Sequence, residues 1–340
     1  MSKIIGVGVV GYGYWGPNLV RNLMANPDCR VRGVSDLREK QMAAATLRYP
    51  GVLCTTDCSQ IMNHPDIDAV VIATPVSSHY PLAMQALKAG KHVLVEKPLA
   101  SSSEQCQALI EEAARRNLVL MVDHTFIYTG AVRKIKELVE GGHLGSLYYY
   151  DSVRVNLGLF QHDVNVLWDL AVHDLAIMDY VLGQRPLAVA ATGVAHMAGH
   201  PENIAFLTCF FANNLIAHFH VNWLAPVKIR RTLIGGSQKM IVYDDLEPSE
   251  KIKVYDKGIN WADTPEGVYR MINGYRTGDM WAPQLAASEA LGVEVAHFID
   301  CIGSGAKPVT DGAVGRRVVQ ILEAASASMA QRGHPVELEG

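Results

Sequence analysis

From residue 4 to residue 122, short apolar runs (IIGVGVV, RVRGVSD, DAVVIAT, HVLVEK and LVLMVD) alternate with segments of helical composition. The length and β-branched content of each run predict a strand, and their near-continuous apolarity predicts a sheet covered on both faces. Strands separated by helical stretches form a parallel sheet with crossover helices. The boundary signals agree. SSSE at 101–104 reads as a capping box opening the helix QCQALIEEAARRN, and Gly90 follows PLAMQALKA where a helix C-terminus belongs.

From about residue 146 the pattern changes to longer strand-like runs: SLYYYDSVRVNL, AVAATGVAH, AFLTCFFA, LIAHFHVNWL, KIRRTLIGG and KMIVYDD. Several are direct neighbours along the chain, which predicts antiparallel pairing. A helix interrupts them at 166–182, and two more are predicted near 284–302 and 312–331. The fold expected is α/β followed by α+β: a Rossmann-type parallel domain over residues 1–125, then an open, mostly antiparallel sheet flanked by helices over 126–340.

A chain of 340 residues exceeds the usual single domain, in keeping with two. A net charge of −4 gives no basic footprint for nucleic acid, and no apolar run approaches the roughly 18 residues that cross a bilayer. The apolar N-terminus runs into a glycine loop without a small-residue cleavage site, so the chain is expected to be cytoplasmic. The six cysteines lack CxxC spacing and the histidines form no HExxH or finger pattern, so neither disulfides nor a metal is expected. The partners expected are small molecules and further copies of the chain.

VVGYGYWGPNLVRNL places Gly11, Gly13 and Gly16 in GxGxxG spacing directly after a strand and at the start of a helix. Such glycines allow a tight turn and close approach of backbone N–H groups to a pyrophosphate, which the helix N-terminus also favours. The next strand ends in GVSDL with Asp36, 20 residues beyond Gly16, where a carboxylate accepts hydrogen bonds from a ribose diol. Asp36 repels a 2′-phosphate, so NAD is preferred. Arg38, two residues on, is able to turn toward such a phosphate and keeps NADP open. Tyr14 and Trp15, inside the loop, either shelter the cofactor or staple the loop to the core.

VLVEKPLA ends a strand with Glu96, Lys97 and Pro98, at the carboxyl edge where open α/β sheets bind ligands. Proline confines the preceding Lys97 to an extended conformation. The glycine loop, ATP at 73–75, EKP at 96–98 and DLAVHDL at 169–175 together resemble the Gfo/Idh/MocA family of sugar and polyol oxidoreductases, in the right order and over essentially the whole chain. The resemblance implies an N-terminal Rossmann domain and a C-terminal sheet that carries the substrate and the oligomer interface. It also implies hydride exchange between NAD or NADP and a carbinol carbon, a Lys97 that touches substrate and nicotinamide ribose, and a cis Lys97–Pro98 bond. Thr74 and Pro75 would border the nicotinamide, and His79, Glu96 and Pro98 join the cofactor-binding candidates. The family often has glycines four residues before and two after the aspartate; Asn165 and Ala171 stand there in this chain, a change expected to alter the shape of the substrate pocket.

In WDLAVHDLAIMDYVLG, Asp169 and His173 are an i, i+4 pair about 40° apart on one helical face. Loss of a hydroxyl proton accompanies hydride transfer from an alcohol, and histidine suits a general base at neutral pH. His173 is therefore the expected base, Asp169 its orienting partner or a substrate contact, and Lys97 the group that stabilises charge on the alcohol oxygen. Asp174 and Asp179 lie off that stripe and stay unassigned. His124 and Tyr128 follow the strand LVLMVD, and SVRVNLGLFQHDVN offers Arg154, Asn156, Gln161 and His162 to a polar ligand. His218 and His220 read as a sheet or subunit face.

These readings converge on an NAD(P)-dependent oxidoreductase acting on a secondary alcohol of a sugar. GYGYWGPNLVRN, DHTFIYTGAVRKIKEL and NLGLFQHDVNVLWDLAVHD resemble oxidoreductases of polysaccharide or antibiotic sugar biosynthesis that often act at C3, and the resemblance implies a nucleotide-linked or amino sugar. Inositol or free-sugar dehydrogenation is the enzymatic alternative. A silent dinucleotide-sensing regulator is the alternative of another class, opposed by the joint presence of Lys97, Asp169 and His173.

Overall fold

The structure, a computed structural model, describes residues 3–158, 164–259 and 275–338. It divides into two compact units, Met1–Tyr128 with Ser288–Gln320, and Thr129–Ala287 with Ile321–Gly340. The first unit alternates β1 (Ile5–Val10), α1 (Gly16–Ala25), β2 (Cys29–Ser35), α2 (Glu39–Arg48), β3 (Leu53–Thr55), α3 (Cys58–Met62), β4 (Ala69–Ile72), α4 (His79–Lys88), β5 (His92–Glu96), α5 (Ser103–Arg116) and β6 (Leu120–Asp123). All six strands pair in parallel in the order β3-β2-β1-β4-β5-β6. The order reverses between β1 and β4, and ligands of such sheets bind beyond the carboxyl ends at that switch. Every residue of β1 and β4 is buried, the cause of their unbroken apolar spelling. The cap of α5 is Ser102, whose hydroxyl accepts from the Gln105 N–H, so the capping box sits one residue later than SSSE predicts.

The second unit contains α6 (Gly130–Glu140), β7 (Leu147–Leu157), a π-helical turn (Leu167–Ala171) that runs into α7 (Val172–Leu182), then β8 (Ala188–Val194), β9 (Ile204–Phe210), β10 (Ile216–Asn222), β11 (Leu224–Gly236), β12 (Met240–Asp244) and β13 (Ile252–Tyr255). Four two-residue strands follow: β14 (Gly258–Ile259), β15 (Tyr275–Arg276), β16 (Met280–Trp281) and β17 (Val336–Glu337). Nine of these strands form one sheet in the order β16-β13-β12-β11-β7-β10-β9-β8-β17. The neighbours β7 and β10 run parallel, while every other described pairing in the sheet is antiparallel. Along β10 the buried Ala217, Phe219 and Val221 alternate with Ile216, His218 and His220 on the other face. Nine of the eleven residues of α7 are buried, including Asp174 and Asp179, as expected of a helix that is apolar nearly all round.

A C-terminal domain running unbroken from 126 to 340 is not what the packing shows. Residues 288–320, with α8 (Ala290–Ser304) and the start of α9 (Gly312–Ala330), belong to the first unit. The cause lies at β6, the last strand of the parallel sheet. Its outer edge would leave backbone groups unpaired, and the returning chain meets them: the Val122 N–H donates to Thr310 O at 2.8 Å and the Thr310 hydroxyl donates to Val122 O at 2.8 Å. Arg21 and Asn22 of α1 fasten the same return through the Glu289 carboxylate.

Candidate active site

The loop after β1 is shaped by two glycines. Gly11 has φ +98°, and a Cβ there would lie 2.3 Å from Ala73 O; one on Gly16 would lie 2.2 Å from Gly11 O. No larger residue fits, and the resulting backbone cradle at the start of α1 suits a pyrophosphate. Asp36 follows β2 and is 9% exposed. Its Oδ2 accepts from the Tyr12 N–H at 2.8 Å and from Arg38 Nη2 at 2.8 Å, while Oδ1 accepts from the Arg38 N–H and Nε. The Arg38 side chain, ahead of the backbone bonds, lowers the Asp36 pKa to about 2. Cradle and carboxylate together fit a dinucleotide.

Within the loop the two aromatics divide the roles that sequence left open. Trp15 is stapled: its indole N–H donates to Asp123 Oδ2 at 2.7 Å, at the end of β6. Tyr14 is 90% exposed and takes no part in that staple.

Thr74, Pro75 and the EKP residues cluster at the ends of β4 and β5, held by His79. The His79 imidazole is 1% exposed and lies 2.8 Å from both Pro98 O and Thr74 O. A neutral imidazole donates once, so it bonds one carbonyl and abuts the other. Burial lowers the His79 pKa; the two carbonyls act against that shift and the charge of Lys97 adds to it. His79 thus stands behind the loops as a brace between ATP and EKP. The Lys97–Pro98 bond is cis, and Lys97 is half-buried. His124, directly after β6, is 2% exposed with no hydrogen-bond partner for either ring nitrogen. Burial, and then Lys97, pushes its pKa down to about 3. Tyr128 is 1% exposed, its hydroxyl 3.1 Å from the Thr310 hydroxyl and its ring against His297, so it serves the core of the first unit.

In the second unit, Asp169 lies in the π-helical turn and His173 in the first turn of α7, both half-buried. The Trp223 indole N–H donates to Asp169 Oδ2 at 3.0 Å, and Trp223 is fully buried. Asn165 opens the turn: its Oδ1 accepts from the N–H groups of Leu167 and Trp168, which explains an amide where the family often has glycine. Ala171 is buried inside the turn. Arg154 is 3% exposed, and its guanidinium donates to both Asp174 oxygens, Nε to Oδ2 at 2.6 Å and Nη2 to Oδ1 at 3.0 Å. That pair accounts for Asp174 and turns the Arg154 fork to an internal carboxylate. Asn156 is half-buried near the end of β7; Gln161 and His162 lie outside the described residues. His218 and His220 stack on Phe206 across the sheet face, with centroids 6.2 and 4.6 Å away.

Among the described residues no group of His, Cys, Asp and Glu is arranged to hold a metal, and no helix is long and apolar enough to cross a membrane. Sequence reasoning missed Asp123 and Trp223, the two residues that hold Trp15 and Asp169. The indoles gave a signal, since a buried Trp N–H needs an acceptor.

Residues 5–124 match the oxidoreductase family with an NAD-binding Rossmann fold, and residues 132–242 match the GFO/IDH/MocA C-terminal domain. The chain is 29% identical over 317 residues to UDP-N-acetylglucosamine 3-dehydrogenase of Acidithiobacillus ferrooxidans, covering 92% of this chain and 93% of that one. It is 23% identical over 351 residues to myo-inositol 2-dehydrogenase of Thermotoga maritima, covering 98% of each. Among solved structures, GenD2 from gentamicin A biosynthesis, in complex with NAD, superposes with a TM-score of 0.84 at 25% identity, covering 100% of this chain and 98% of that one. With the glycine cradle, the strand-end lysine and both domain matches in one chain, the protein belongs to the Gfo/Idh/MocA family and is an oxidoreductase with an NAD-binding Rossmann fold.

Proposed function

We propose that the protein moves hydride between NAD(P) and a secondary alcohol or ketone of a sugar, with a nucleotide-linked or amino sugar at C3 as substrate, in polysaccharide or antibiotic sugar biosynthesis. The observation that carries this reading is one chain holding the Gly11 to Gly16 cradle with Asp36, Lys97 after β5, and Asp169 with His173 at the start of α7. The end-to-end likeness to UDP-N-acetylglucosamine 3-dehydrogenase supports the substrate class. The likeness to myo-inositol 2-dehydrogenase favours, as second reading, an inositol or free sugar.

A dinucleotide held by the Gly11 to Gly16 cradle and Asp36 would supply the hydride acceptor or donor for the carbinol carbon. The residues of the chain handle the proton and the developing charge. His173 accepts the hydroxyl proton, Asp169 orients the imidazole or a second substrate hydroxyl, and the Lys97 ammonium stabilises the negative oxygen. In the reducing direction His173 or Lys97 delivers the proton. His124, after β6, carries a neutral buried imidazole beside Lys97. NAD is the favoured cofactor through Asp36, with NADP admitted by Arg38. Copies of the chain associate through the outer face of the nine-stranded sheet, where Phe206, Phe210 and Ile216 are exposed.

The test is a screen of nucleotide sugars, free sugars and inositols with each dinucleotide, on wild type, Lys97→Ala and His173→Ala. Removal of the base or the cation is expected to lower kcat about 100-fold or more on the best substrate. Near-wild-type turnover of either variant would refute the assignment. Dinucleotide binding with no turnover on any class would favour a regulator.

A further inference from the structure

Glu294, on α8, is fully buried, and neither of its carboxyl oxygens has a hydrogen-bond partner of ordinary geometry. The groups that act on it are acids: Asp123 from the end of β6 and Glu96 from the end of β5, with the Thr125 hydroxyl beside them. Burial first, then Asp123 and Glu96, raises the Glu294 pKa well above the carboxylate range. A buried acid with no cation stays neutral, since ionisation would set two charges of one sign together in a poorly solvated place. Asp123 is 2% exposed, and both its oxygens act as acceptors, Oδ2 from the Trp15 indole at 2.7 Å and Oδ1 from the Thr125 hydroxyl at 2.5 Å. Trp15 is the residue before α1 and makes no side-chain cap of its own, so its tie to Asp123 is what anchors this part of the glycine loop.

We propose that Glu294 is a positioning residue for cofactor binding: as a fully buried acid beside Asp123, it leaves that carboxylate aimed at Trp15, and through Trp15 it holds the phosphate loop in the shape a dinucleotide needs. The proposal rests on the reading of that loop as a dinucleotide site. Trp15 and Thr125 are the donors to Asp123, and a second negative charge there would push Asp123 off the indole.

The experiment measures the Kd of NAD and of NADP by calorimetry for wild type, Trp15→Phe, Glu294→Ala and Glu294→Gln, each checked for folding by its thermal melt. Trp15→Phe keeps the ring and loses the N–H, and is expected to weaken the better dinucleotide about 10-fold. Glu294→Ala should weaken it by a similar factor, and Glu294→Gln, the neutral mimic of the acid, should recover most of the loss. Infrared spectra of wild type at pH 7 should contain a protonated-carboxyl C=O band that is missing from Glu294→Gln. Unchanged binding in Trp15→Phe, failure of Gln to rescue, or absence of the band would overturn the proposal. Wild type that binds neither dinucleotide would instead sink the reading of the loop, with the infrared result still standing on the protonation.

Discussion

Replacing Asp174 by alanine isolates the one ion pair in the described core whose removal should be felt throughout the second unit. Arg154 and Asp174 side chains are 4% and 5% exposed, and the bidentate contact leaves the guanidinium no access to water once the carboxylate is gone. Removing the bidentate acceptor of a buried guanidinium costs about 3–5 kcal/mol. A domain has only about 5–15 kcal/mol in hand, so the variant should melt roughly 10 °C lower, or more. The loss should show in calorimetry as an early transition of the unit that carries α7. Because Asp174 directly follows His173, activity should fall with the fold. The double variant Arg154→Met, Asp174→Leu removes both charges and should lie within about 2 kcal/mol of wild type. Its kcat/KM separates the two readings of Arg154: near-wild-type activity belongs to a core ion pair, and a stable but inactive protein to a substrate contact. A single Asp174→Ala variant within about 1 kcal/mol of wild type would refute the reasoning altogether, since it would mean water reaches Arg154.

Two further measurements bear on the first unit. Arg38 fills the acceptor positions of Asp36 that a ribose diol would use, but its side chain is 58% exposed, so the pair is worth about 1 kcal/mol at most. Arg38→Ala should therefore tighten NAD by no more than about 5-fold and weaken NADP about 10-fold or more; equal weakening of both dinucleotides would show that Arg38 supports the cofactor in another way. His124 has a folded-state pKa of about 3 against an unfolded value of about 6.5, so between these pH values the unfolded chain binds more protons. Its contribution to stability is complete above about pH 6.5 and is lost as pH falls toward 3, at most about 1.4 kcal/mol per pH unit. From pH 6.5 to 5, urea denaturation of wild type should lose about 2 kcal/mol more than that of His124→Gln, and identical slopes would exclude a neutral buried imidazole.

Much of the first unit is legible because both faces of its sheet are covered. Burial on both sides makes β1, β4 and β5 nearly uninterrupted apolar words, and backbone clearance makes Gly11 and Gly16 obligatory. What is not legible depends on pairing at a distance. The three residues of β3 are too few for a period, and no local property of SLYYYDSVRVNL announces that it lies parallel to LIAHFHVNWL. The return of residues 288–320 to the parallel sheet is set by the free edge of β6, which the sequence of α8 does not mention. Glu294 did leave a trace. Leu291, Val295 and Phe298 mark a buried stripe at helical spacing, and the acid falls on it at 294. An acid on an apolar stripe is a signal in the sequence at Glu294 as it is at Asp169.

Asp169 and His173 do not share an ideal α-helix, because Asp169 lies in the π-helical turn Leu167–Ala171. Four steps at 100° leave two α-helical residues about 40° apart. A turn closed by i→i+5 bonds rotates less per residue, so four steps that begin inside it fall short of that angle and bring the two side chains nearer one line along the axis. The wider turn is not free to relax, because three contacts define it: Asn165 caps its start, Trp223 holds the Asp169 carboxylate, and Ala171 is buried where a larger side chain would have to fit. The Trp223 indole N–H donates to Asp169 Oδ2 from within this turn, so the irregular geometry and that bond are formed together. Asn165 and Ala171, where the family often has glycine, therefore belong with the irregular turn, Asn165 as its cap and Ala171 as a buried residue within it.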